Sequence, residues 1–130
     1  MASFKTKQRV ERICAKYGVT PIFQAVNNAG GGCYPNKGQI FINLSYNNWF
    51  TIQSTLHEIS HCINFRQNKY LKYNNGSFLT KDYLKKMALR AEVYADLTAV
   101  ELGKELGIKY QRVYFFNKKS RKFLKEYYGY

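Results

Sequence analysis

The 130-residue chain sets 21 Lys and Arg against eight Asp and Glu, giving a formal net charge of +13; it is 45% hydrophobic and 22% charged. That length is one domain's worth of protein and can bury a core without disulfide staples. The composition excludes a long disordered tract, and no apolar run approaches the roughly 18 residues of a membrane helix. The basic excess favours contact with nucleic acid or an acidic protein partner, although solvated lysines also keep a small protein in solution. Cys14, Cys33 and Cys62 form no CxxC pair, and the start, MASFKTKQRVERIC, has no apolar secretory core. Both features suit a reducing cytoplasm.

In chain order, Val10, Ile13, Cys14 and Tyr17 recur at helical spacing and predict a short amphipathic helix from Lys5 to about Tyr17, with Gly18 as its stop. PIFQAV at 21–26 predicts a strand, NNAGGG at 27–32 a flexible link, and Cys33 and Tyr34 the start of a second strand. PNKG at 35–38 reads as a turn. QIFINLS at 39–45 is the clearest strand, with Ile40, Ile42 and Leu44 on one face and Phe41 and Asn43 on the other. The short PNKG connection implies antiparallel pairing. Asn47 and Asn48 can cap a helix from about Trp49 to Gln67, along which Ile52, Leu56, Ile59 and Ile63 form an apolar stripe.

KYLKYNNGSF at 69–78 reads as a loop. Thr80 can cap a second long helix, with Asp82 near its positive end, that runs to about Leu106 and is closed by Gly107. Leu84, Ala88, Ala91, Ala95, Ala99 and Leu102 line one face of it, and the alanines permit close approach to another helix. The remainder, at about 108–130, predicts a last helix rich in aromatic and basic residues. The expected whole is α+β and a single domain over 1–130: an N-terminal helix, a small twisted, mainly antiparallel sheet of two to three strands, then three helices.

Both histidines of the chain fall within LHEISHC at 56–62. On a helix His57 and His61 lie one turn apart on one face, so two imidazoles can converge on one ion. Zn²⁺ suits nitrogen ligands in a tetrahedral arrangement and, for catalysis, needs a third protein ligand and an open position. Glu58 flanks such a metal, where it can hold the attacking water and take its proton. Cys62 follows His61 directly and is at the wrong angle to join both histidines. The better third ligand comes from the alanine-lined helix, where RAEVYAD sets Glu92 and Asp96 four residues apart. Glu92 is assigned as the third ligand. Asp96 is assigned to accept a hydrogen bond from the far nitrogen of His57 and fix its tautomer.

HEISH at 57–61 with EVYAD at 92–96 on a later helix resembles the glutamate-ligand zincin metallopeptidases. The element order looks most like the compact ImmA/IrrE-like metallopeptidases of phages and mobile elements, and the likeness covers roughly residues 5–106. The resemblance implies His57, His61 and Glu92 as zinc ligands, Glu58 as general base, and the strand at 39–45 as the edge along which a peptide lies extended. It also implies cleavage of a specific regulatory protein, in the host cytoplasm if phage-encoded. Such proteins usually continue after the glutamate with a different packing stretch and a proline, where this chain has DLTAVELGKELG. SprT-like peptidases, which act on proteins attached to DNA, would suit the charge but commonly use a further histidine that is absent here.

An oxyanion donor is also expected; Tyr94, Tyr110 and Tyr114 are candidates, with Tyr110 or Tyr114 able to fold over the site. The alternative to an enzyme is a nucleic-acid-binding or protein-interaction module with a structural or vestigial metal site. Its basis is the tail, where Lys118, Lys119, Arg121, Lys122 and Lys125 interleave with Phe115, Phe116, Phe123, Tyr127 and Tyr128.

Overall fold

A computed structural model describes residues 1–24, 30–67 and 81–111, with residues 81–90 described as backbone alone. Helix α1 spans Phe4–Lys16 and buries Val10, Ile13 and Cys14, the face expected from their spacing. Ser3 caps it, its hydroxyl accepting from the Thr6 amide at 3.1 Å. Three short strands follow: β1 (Thr20–Phe23), β2 (Gly31–Tyr34) and β3 (Gln39–Ile42). Between β2 and β3, PNKG forms a single 3₁₀ turn over Pro35–Lys37.

The sheet order is β1-β3-β2. The PNKG turn makes β2 and β3 antiparallel, with Cys33 opposite Ile40. On the other side β1 runs parallel to β3, with Pro21 also opposite Ile40, so the sheet is mixed. Two expectations change as a result. The strand at 39–45 is not an edge, because β3 is the middle strand; β1 and β2 are the outer strands of the described sheet. Gly31 and Gly32 belong to β2 and not to a flexible link. A Cβ on Gly31 would lie 2.7 Å from the Phe41 carbonyl oxygen and 3.2 Å from Cγ of Glu58, so only glycine lets this strand approach so closely. β3 also stops earlier than its sequence pattern suggests. The Asn43 side chain accepts from the Ser45 amide at 3.0 Å and the Ser45 hydroxyl at 2.6 Å, a local turn that competes with the ladder.

Helix α2 spans Asn48–Arg66, and Asn47 caps it by accepting from the Phe50 amide at 2.8 Å. Ile52, Leu56 and Ile59 are buried and Ile63 is partly so; they pack in one cluster with Ile40 and Ile42 of β3 and Val10 of α1. Polar residues of α2 are also buried, with Thr55 and Ser60 on either flank of that stripe. Thr55 and Ser60 satisfy their hydroxyls on the Thr51 and Leu56 carbonyls at 2.8 and 2.6 Å, so neither needs water.

Helix α3 (Lys81–Leu106) packs on the side of α2 that carries His57, His61 and Asn64, and α2 with α3 is the most extensively packed pair of the described elements. Ala91, Ala95, Ala99 and Leu102 are buried along it as the stripe predicted. Thr98 of α3 donates to Oδ1 of Asn64 on α2 at 2.7 Å. Gly107 ends the helix at φ +69°, a left-handed position that favours glycine. Val26, the 69–78 loop, the Thr80 cap, the side chains of Asp82, Leu84 and Ala88, Tyr114 and the expected C-terminal helix with its basic aromatic residues lie outside the described residues. Among the described residues no helix is long and apolar enough to cross a membrane.

Candidate metal centre

The apolar stripe of α2 is fixed against the sheet, which turns His57 and His61 toward α3. The alanines of α3 keep little side chain between the helices, so carboxylates beside them reach across. Nε2 of His57 lies 2.7 Å from Oε2 of Glu92, and Nε2 of His61 lies 3.2 Å from the same oxygen. The two Nε2 atoms are 3.2 Å apart, with the rings edge to face at 85°. One ligand atom from each of His57, His61 and Glu92 therefore falls within 4.8 Å of the others.

These separations allow a test of fit. With metal–nitrogen bonds of about 2.0–2.1 Å, neighbouring donors of a tetrahedral zinc sit about 3.3 Å apart. Two edges of the triangle already match, and the 2.7 Å edge needs to open by about half an ångström. Two imidazole nitrogens and one carboxylate oxygen are also the donor set that Zn²⁺ accepts in open sites. The residues fit the ion.

Behind His57 the arrangement differs. Its Nδ1 lies 2.9 Å from Oδ1 of Asp96, which is fully buried. The Tyr110 hydroxyl donates to that same oxygen and lies 3.1 Å from Nδ1. With Nδ1 engaged by Asp96, Nε2 is the nitrogen left to face Glu92 and His61.

Glu58 sits outside the three-donor cluster, under β2. Its Cγ faces Gly31, and its carboxylate is within hydrogen-bonding reach of the Cys33 thiol. Burial raises its pKa, against the lowering effect of His57 and His61. Burial alone would lower the pKa of His57, but its hydrogen bonds to Asp96 and Glu92, with the nearby charge of Glu58 and Glu92, lift it to about 10. For Glu92 burial acts upward and is overcome by the hydrogen bonds and charge of the two histidines, which hold its carboxyl well below the usual range. Cys62 does not join the cluster; its Sγ points at the Gln39 carbonyl, 4.0 Å away.

The sequence reading brought His57, Glu58, His61, Glu92 and Asp96 to one place, and they do lie together. Of the three tyrosines open as oxyanion candidates, Tyr110 has its hydroxyl behind His57 on the Nδ1 side. Gln53 and Cys33 were not foreseen. Gln53 carried a signal, being one turn before His57 on the same helical face, whereas Cys33 acquires its neighbour only through the sheet order.

Comparisons of the chain with protein-family models, curated proteins and solved structures found no match. The class therefore rests on frame and site. A His57/His61/Glu92 cluster held between two packed helices beside a small mixed sheet is consistent with a zincin-like metallopeptidase fold.

Proposed function

We propose that this chain is a zinc-dependent endopeptidase of the glutamate-ligand zincin type, most like the compact ImmA/IrrE-like metallopeptidases, and that it cleaves a specific protein. The observation that carries the reading is the convergence of one donor atom each from His57, His61 and Glu92 within 4.8 Å, with Glu58 beside them. Those three residues would hold the ion. Zinc bound there supplies Lewis acidity, making a water acidic and a carbonyl electrophilic near neutral pH.

The chain's own groups do the rest. Glu58 takes the water's proton and returns it to the leaving amine, a task that suits a carboxyl whose pKa burial has raised. Asp96 holds Nδ1 of His57 and so keeps Nε2 directed at the ion. β2 offers its outer edge to an extended peptide by strand addition. Gly32 brings no side chain to β2, and among the described residues nothing lies within 4 Å of where its Cβ would stand. The +13 charge favours an acidic protein, or one attached to nucleic acid, as the substrate.

Glu58→Gln tests the reading. Both the variant and the wild-type chain should retain about one zinc per chain. Incubated with a peptide library and read by mass spectrometry for new termini, only the wild type should produce cleavages. Loss of zinc in Glu58→Gln as complete as in His57→Ala would remove Glu58 from the role of base.

A further inference from the structure

We propose that Tyr110 is a positioning residue of the metal centre, clamped by Gln53 and acting on His57 through Asp96; the inference rests on the metal-site reading above. Its origin is the way the chain leaves α3. The Ile108 amide donates to the Gly103 carbonyl at 2.8 Å, and Gly107 takes its left-handed φ, so the chain doubles back along the helix it has just left. A Cβ on Gly103 would lie 2.3 Å from the Ile108 carbonyl oxygen and 3.6 Å from Cβ of Tyr110. Gly103 and Gly107 together aim residues 108–111 at α2.

Gln53 then fixes them. Its Nε2 donates to the Lys109 carbonyl at 2.9 Å, and its Oε1 accepts from the Gln111 amide at 2.8 Å. One side-chain amide thus pairs with the backbone on both sides of Tyr110, as a neighbouring strand would. Gln53 is buried, so both bonds are shielded from competing water. The clamp delivers the Tyr110 hydroxyl to Oδ1 of Asp96, the atom that also faces Nδ1 of His57. Two donors meeting on one oxygen restrict rotation of the Asp96 carboxylate and hence of the imidazole. A buried tyrosine needs an acceptor for its hydroxyl, and here that acceptor is the carboxylate oxygen that also faces Nδ1 of His57.

Zinc affinity of the full chain, measured by competition with a chelator, tests the inference beside thermal unfolding of the metal-free protein. Tyr110→Phe should weaken zinc binding by up to about tenfold, the low end of what losing an outer partner of a ligand costs, because Asp96 itself remains. Gln53→Met should weaken it in the same direction by no more than that. The double variant should match Tyr110→Phe, because both changes act through one hydroxyl. In proton NMR the Nδ1–H signal of His57 should exchange with solvent faster in Tyr110→Phe than in wild type. A lower melting temperature with unchanged zinc affinity in Tyr110→Phe would overturn the proposal, as would Gln53 and Tyr110 effects that simply multiply. Were the wild type to bind no zinc, the metal-site reading would fall first, a result distinct from either.

Discussion

The two sides of the His57 ring present the same chemistry in different settings. On one side Nε2 lies 2.7 Å from Glu92, whose side chain is 32% exposed; on the other Nδ1 lies 2.9 Å from Asp96, whose side chain is 0% exposed. Each is a histidine–carboxylate contact. The Glu92 side shares its oxygen with a second histidine and can open by about half an ångström to admit an ion. The Asp96 side is closed by a tyrosine hydroxyl and has no comparable freedom. A single imidazole thus carries one contact shared with the candidate metal cluster and one enclosed in the core.

The comparison breaks most visibly if each carboxylate is neutralised in turn. Glu92→Gln would remove the proposed third ligand, so zinc affinity should fall by at least about 100-fold, beyond what an outer partner normally costs. Asp96→Asn should cost about 10- to 100-fold. It should also destabilise the metal-free protein by about 3 kcal/mol, because it weakens a wholly buried contact. Chelator competition and denaturant unfolding report the two quantities separately. Equal affinity losses without any stability difference would erase the distinction between the two sides.

pH sharpens the same contrast. His57 rises from 6.5 to about 10 in the metal-free fold, so its stabilising contribution is complete below 6.5 and is lost as pH climbs toward 10. Glu92 is depressed below its ordinary 4.5, so its contribution is present above 4.5 and is lost as pH falls through the depressed value. The pair therefore stabilises the metal-free protein most between 4.5 and 6.5. Zinc must displace the His57 proton, so its apparent affinity should rise by about tenfold per pH unit above neutrality until pH nears 10. Calorimetry in buffers of different ionisation enthalpy should detect about one proton released per zinc bound.

A smaller effect is expected at Gly31→Ala. The added methyl would meet the Phe41 carbonyl oxygen at 2.7 Å and Cγ of Glu58 at 3.2 Å, forcing β2 off α2. Stability should drop by about 1–3 kcal/mol and hydrolysis should weaken, while zinc binding, which does not involve β2, stays unchanged. Unfolding and metal titration of the same sample check both halves.

Most of the frame was legible because each helix states its own period and ends. Val10, Ile13 and Cys14, then Ile52, Leu56 and Ile59, then Ala91, Ala95 and Ala99 mark buried faces without reference to anything distant. The grouping of His57, His61 and Glu92 was readable for the same reason: two i, i+4 pairs on helices that must pack together. What the letters withheld depends on long-range pairing. Nothing in GGCY distinguishes a strand over Glu58 from a glycine linker, because the distinction lies in how close Phe41 and Glu58 come. The parallel placement of β1 made β3 central and left β1 and β2 as the outer strands of the described sheet, which local alternation cannot report. Tyr110 was one of three tyrosines that could approach the site, and only the Gly103 and Gly107 turn shows that it comes back to Asp96.

X-ray absorption at the zinc edge, recorded on the 130-residue chain loaded with one equivalent of zinc, addresses the central claim most directly. The account predicts nitrogen and oxygen neighbours at about 2.0–2.2 Å, with the scattering pattern of two imidazoles and no sulfur. A sulfur neighbour near 2.3 Å would mean that Cys33 or Cys62 holds the metal and would contradict it.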